Sequence, residues 1–123
     1  MNSARILVVD DNPTNLKLVT DVLAFDGYAV LQAADAEEAQ KVIERTPPDL
    51  ILMDIALPGM DGLTLTRKLK AAEATRDIRI VALTAFAMKG DDQKALAAGC
   101  DGYLTKPIDT RKLSEQVATW LNI

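Results

Sequence analysis

Five short apolar runs, at residues 5–10, 28–33, 49–54, 79–84 and 102–105, punctuate this chain of 123 residues, and each is followed by a stretch with helical spacing. Short apolar runs bounded by turn residues or charges are the signature of buried strands, whereas apolar residues three and four apart mark one face of a helix. Parallel strands must be joined by crossovers, and a helix is the usual crossover. Strict alternation therefore predicts an α/β fold with a central parallel sheet and helices on both faces. For five strands the common doubly wound order is 2-1-3-4-5. The chain is long enough to bury a core without disulfides or metals. Residues 1–123 are expected to form a single domain with no linker, repeat or effector domain.

The helix ends are written in the side chains. The first helix is expected to start with Asn12 as its cap and Pro13 at the first helical position, to carry an apolar face of Leu16, Val19, Val22 and Leu23, and to stop at Gly27. The second follows Asp35, turns Ala39, Val42 and Ile43 inward, and cannot continue through Pro47-Pro48. The third is predicted from about Gly62 to Ala72 around Leu65 and Leu69, and the fourth from about Lys89 to Ala98, with Asp91 and Asp92 near its positive end and Gly99 beyond. The fifth follows Asp109-Thr110 and presents Leu113, Val117, Trp120 and Leu121 to the sheet.

Chemistry-bearing residues stand where the strands end. Asp10 and Asp11 close the first apolar run, Asp54 the third and Thr84 the fourth, while Lys106 follows the fifth. In an open parallel sheet the carboxyl ends of the strands share one edge, and ligands bind there at the switch in strand order. With the order 2-1-3-4-5, Asp10 and Asp11 would face Asp54 across that switch. Three gathered carboxylates repel one another, and a hard divalent cation such as Mg²⁺ resolves the repulsion with oxygen ligands. Asp11 and Asp54 are expected as direct ligands, Asp10 as acting through water, and the backbone carbonyl of Ala56 as a further oxygen. A carboxylate can accept a phosphoryl group as an aspartyl phosphate. Asp54 is the expected acceptor, with the Lys106 ammonium and the Thr84 hydroxyl meeting phosphoryl oxygens. Ala85, directly after Thr84, offers little side chain to block a phosphodonor.

Composition excludes several alternatives. The formal net charge is −4, and no cluster of lysine and arginine offers a face for nucleic acid. There is no histidine, so imidazole bases, histidine metal ligands and a phosphohistidine donor are absent from the chain itself. Cys100 is the single cysteine, which rules out an internal disulfide and fits a reducing, cytoplasmic setting; it reads as a small buried apolar residue beside a turn. No apolar stretch approaches the roughly 20 residues of a membrane span, and no leader opens the chain.

The segments VVDDNPTNLKL at 8–18, LILMDIALPGMDGL at 50–63, IVALTAFAMKGD at 80–91 and GCDGYLTKPI at 99–108 resemble the receiver domain of bacterial two-component response regulators. The wording is similar to stand-alone regulators of the DivK type and to receivers appended to hybrid histidine kinases. The resemblance implies a (βα)5 fold of the flavodoxin-like, CheY-like kind and a signalling protein rather than a turnover enzyme. It implies that Asp54 takes a phosphoryl group from a sensor histidine kinase or a phosphotransfer protein, with Mg²⁺ at Asp10 and Asp11 and with Thr84 and Lys106 contacting the phosphoryl group. The Lys106-Pro107 peptide would be cis, a form that X-Pro bonds tolerate. Tyr103 would be the switch aromatic that repacks when Thr84 moves. The fourth helix, fifth strand and fifth helix would act on a separate protein. The first helix, including Asn15 and Leu16, would dock the histidine donor. Ala56 and Phe86 occupy positions that control water's access to the phosphoryl group; neither side chain can hydrogen-bond water, which implies slow self-dephosphorylation. The protein is expected as a monomer or a weak phosphorylation-dependent dimer.

Rival functions fit the residues less well. A flavodoxin wraps the FMN phosphate in a loop rich in hydroxyls and glycine, whereas DDNPTN at 10–15 would repel it. A haloacid dehalogenase-type phosphatase needs two aspartates spaced by one residue after the first strand, and Asp10 and Asp11 are adjacent. A receiver acting only as an unphosphorylated interaction module usually lacks one of the acidic or lysine positions, all of which are kept here.

Overall fold

The structure, a computed structural model, describes residues 4–57, 59–84 and 91–122, with the backbone alone at Asp91 and Asp92. Its elements run β1 (Arg5–Val9), α1 (Pro13–Phe25), β2 (Ala29–Ala33), α2 (Ala36–Arg45), β3 (Leu50–Asp54), α3 (Gly62–Ala71), β4 (Arg79–Thr84), α4 (Asp91–Ala97), β5 (Gly102–Thr105) and α5 (Thr110–Leu121). All strand pairings are parallel, in the order β2-β1-β3-β4-β5. This is the expected doubly wound sheet. Asp10 lies one residue past β1, where its N–H still bonds the Ala33 carbonyl at 3.1 Å.

Successive residues of a strand point to opposite faces, so each strand feeds two cores. Leu7, Val9, Ile51, Met53, Ile80 and Ala82 face one side and pack with Ala39, Ile43, Leu65 and Leu69 of α2 and α3. Ile6, Val8, Leu50, Leu52, Val81 and Leu83 face the other and pack with Val19, Leu23, Leu113 and Val117 of α1 and α5. Every residue of β3 is buried, which places its terminal carboxylate at the centre of the sheet's edge.

Capping sets the helix starts. The Asn12 side chain accepts from the N–H groups of Thr14 and Asn15, and Pro13 stands at the first position as expected. Asp35, Asp61 and Asp109 cap α2, α3 and α5 in the same way. Gly27, at φ +92°, turns the chain out of α1 through a region that L side chains avoid.

Burial is partial at a few core-facing helix positions. Trp120 and Leu121 face the sheet as expected and are half-buried there, with the indole against Gly102 of the edge strand. On α1, Val19 and Leu23 are buried while Leu16 and Val22 of the same apolar face pack half-buried against the same core. Helix α4 runs over Asp91–Ala97, and the proposed start at Lys89 lies outside the described residues, as do Ala85 and Phe86. Cys100 is buried as expected, its thiol 4.0 Å from the Thr66 hydroxyl, and burial pushes the thiol pKa up. Among the described residues no helix is long and apolar enough to cross a membrane.

Gly62 ties the fold to the sheet's edge. A Cβ there would stand 2.3 Å from the Asp54 carbonyl oxygen and 2.9 Å from Ile55 Cα, so α3 can approach β3 only with glycine at this position. Replacing Gly62 by alanine is expected to cost about 1–3 kcal/mol, the usual range for overpacking. A urea unfolding series should read this as a lower midpoint with unchanged slope.

Candidate functional site

The strand order decides which side chains can meet. β1 and β3 are adjacent, β4 follows and β5 closes the row, so Asp10, Asp11, Asp54, Thr84 and Lys106 all emerge at one edge. Carboxylate oxygens of Asp10, Asp11 and Asp54 lie within 4.8 Å of one another. Asp10 and Asp54 are buried and Asp11 is exposed, which leaves the cluster one open side.

Lys106 reaches across β4 to the carboxylates. Its Nζ donates to Asp54 Oδ2 at 2.9 Å and stands 3.1 Å from Asp10 Oδ2. The backbone aims it: the Lys106 N–H bonds the Thr84 carbonyl at 2.6 Å, Thr84 pairs with Thr105, and the Lys106-Pro107 peptide is cis. The two other oxygens are held by turn N–H groups, Asn12 N–H to Asp10 Oδ1 and Ala56 N–H to Asp54 Oδ1, both at 2.9 Å. Beyond the carbonyl and water-access roles expected of Ala56, its N–H orients Asp54. The signal was present in sequence, since an aspartate at the start of a turn commonly accepts from the N–H two residues on.

Burial is the largest influence on Asp10 and raises its pKa despite the Asn12 N–H and the Lys106 ammonium. For Lys106, burial is the largest single influence and pulls downward, but the hydrogen bonds and charges of Asp54 and Asp10 together outweigh it and hold the ammonium above the usual lysine value. One ammonium among three carboxylates leaves two formal negative charges in the pocket. Oxygen donors, excess negative charge and an open side suit a hard divalent cation such as Mg²⁺.

Thr84 is buried at the end of β4, while Tyr103 on β5 is 43% exposed and directed outward. The structure therefore brings together the three aspartates and the lysine, sets Thr84 on the strand between them, and leaves Tyr103 at the surface.

A family model for the response regulator receiver domain matches residues 6–118. The chain belongs to this family. Receiver domains interact with histidine kinases or phosphotransfer proteins and with downstream targets, so this receiver is part of a two-component signalling system. It is 40% identical over 116 residues, 94% of each chain, to the polar-differentiation response regulator DivK of Brucella ovis. The receiver domain of the sensor histidine kinase PA1611 from Pseudomonas aeruginosa PAO1, solved with magnesium in its active-site cleft, is 39% identical with a TM-score of 0.89, covering 98% of this chain and 99% of that one. The chemotaxis response regulator CheY4 of Vibrio cholerae is 27% identical with a TM-score of 0.90, covering 96% and 98%.

The raised pKa of Asp10 carries a pH dependence. Its contribution to stability is fully present below the ordinary carboxylate value of 3.8 and is lost as pH rises through its higher folded value, so the ionised group is a cost at neutral pH. In EDTA, Asp10→Asn is expected to raise the urea midpoint at pH 7, and the gain should shrink toward pH 4. A midpoint series across that range checks the sign.

Proposed function

We propose that this receiver is a phospho-accepting switch in which Asp54 takes a phosphoryl group from the phosphohistidine of a sensor kinase or phosphotransfer protein. The observation that carries this reading is the meeting of Asp10, Asp11 and Asp54 with Lys106 at the carboxyl edge of the sheet. An Asp54 oxygen attacks phosphorus, and the P–N bond breaks with its electron pair passing to the imidazole. The Ala56 N–H fixes the orientation of the carboxylate before attack. Lys106 follows the negative charge onto the phosphoryl oxygens, and Thr84 donates its hydroxyl to another of them. Mg²⁺ would be held by Asp11 and Asp54, with Asp10 through water and the Ala56 carbonyl, and would offset charge on the acceptor and on the phosphoryl oxygens.

The same reading gives Tyr103 the part of the aromatic that turns inward when Thr84 moves, biasing the surface of α4, β5 and α5 toward a downstream protein. Ala85, with its methyl side chain, leaves the donor's approach open. Helix α1 would receive the donor at Asn15 and Leu16. The receiver would work in the cytoplasm on a downstream protein target, with no nucleic acid or membrane as partner. It would speed its own phosphorylation without being a turnover enzyme.

Intact mass after incubation with acetyl phosphate and Mg²⁺ tests the acceptor. One phosphoryl adduct is expected, absent in EDTA and absent in Asp54→Ala; an adduct that survives in Asp54→Ala would overturn the assignment. The methyl side chain of Ala56 cannot hold an attacking water, so the purified phosphoprotein is expected to lose phosphate slowly. Ala56→Asn should shorten its lifetime several-fold, read by the same mass measurement over time.

A further inference from the structure

Asn12 ties the start of helix α1 to the acidic pair. Its side-chain Oδ1 accepts the Thr14 N–H at 2.9 Å and the Asn15 N–H at 3.2 Å, and its carbonyl accepts the Leu16 N–H at 3.0 Å. Its own N–H runs the other way, to Asp10 Oδ1 at 2.9 Å. Pro13 keeps the residue before it out of helical backbone, and Asn12 is extended at φ −90° and ψ 112°. Holding Asn12 there keeps its N–H on Asp10, and Asp11 lies in the chain between the two anchored residues. At Asp54 the matching turn bond comes from the Ala56 N–H, also at 2.9 Å. Alanine has no side chain to hold that turn; instead the Ile55 N–H bonds the Leu83 carbonyl of the neighbouring strand at 3.2 Å. The turn at Asp54 is thus fixed by the sheet, and the turn at the acidic pair by one side chain.

We propose that Asn12 is a positioning residue for Mg²⁺ affinity: by capping α1 with its side chain it holds the turn whose N–H orients Asp10, a role that rests on the three aspartates serving as the cation site. Asp10 Oδ1 is taken by Asn12, and Oδ2 stands 3.1 Å from Lys106 Nζ. Without the cap the turn N–H loses its aim, and a buried carboxylate facing one ammonium swings toward it. Both oxygens then serve Lys106, and the orientation offered to the cation and its water is lost. Removing a group that orients a metal ligand commonly costs roughly 10–100-fold in affinity; here the N–H itself stays in the chain, so a smaller loss of about fivefold is expected.

Calorimetric titration of the purified protein with Mg²⁺ tests this without any phosphodonor. Asn12→Ala should bind Mg²⁺ about fivefold more weakly than wild type. Asn12→Ser should restore the affinity, since serine caps a helix as well as asparagine does. Asp35→Ala removes a cap from α2, where Asp35 accepts the Glu38 N–H at 2.8 Å, and is the control for lost helix stability; its Mg²⁺ affinity should match wild type. With acetyl phosphate, adduct formation in Asn12→Ala should be slow at low Mg²⁺ and return toward the wild-type rate as Mg²⁺ saturates. A wild type that binds no Mg²⁺ overturns the proposal, as does unchanged affinity in Asn12→Ala, an equal loss in Asp35→Ala, or Asn12→Ser as weak as Asn12→Ala. A rate deficit that persists at saturating Mg²⁺ also overturns it, by placing Asn12 in the transfer step instead. If wild type binds Mg²⁺ and the Asn12 series behaves as expected but no adduct forms, the proposal is supported and the phosphoryl-accepting role of Asp54 is what fails.

Discussion

An ammonium group bridging two buried carboxylates is the contact on which this structure's edge depends. Asp10 and Asp54 are brought into proximity by adjacent strands whose cores leave them no alternative position. Left alone they would repel in a region poorly reached by water. Lys106, arriving from beyond β5, stands within hydrogen-bonding distance of both. It offsets part of the repulsion and leaves an excess of negative charge that suits a hard divalent cation.

Around that contact the fold supplies rigidity from both sides. The hydrophobic faces of β1, β3 and β4 are buried against helices in two layers, so the strand ends cannot drift apart. Turn N–H groups from Asn12 and Ala56 hold the carboxylate oxygens that Lys106 does not take. Helix α3 reaches β3 because Gly62 has no Cβ to strike the Asp54 carbonyl. The Asp54 carboxylate is thus oriented from both sides, one oxygen by the Ala56 backbone N–H and the other by the Lys106 ammonium.

Much of this was legible in the chain. The alternation of strand and helix, the caps at Asn12, Asp35 and Asp109, and the stop at Gly27 are local signals, each readable within a few residues. So was the placing of Asp10, Asp11, Asp54, Thr84 and Lys106 at strand ends. Less was legible where size and position at the sheet's rim decide burial. Trp120 and Leu121 follow the helical spacing of α5 and face the sheet, but that they are only half-buried, with the indole on Gly102 of the edge strand, depends on strand order. The Ala56 N–H was overlooked because alanine offers no side chain to draw attention, although the turn geometry needs only backbone.

By itself the sequence determined the class of fold and the kinds of chemical group available at its edge, since periodicity, capping and residue type are local properties. The tertiary structure decided which groups touch and which are dry. Lys106 and Asp54 are 52 residues apart, and only the pairing order of the sheet brings them within 2.9 Å. Asp10 and Asp11 are neighbours of the same type whose carboxylate oxygens lie within 4.8 Å of each other, yet one is buried and the other exposed. Pairing and burial are set by strand order and by the layers packed on either side, and no short stretch of chain contains that information.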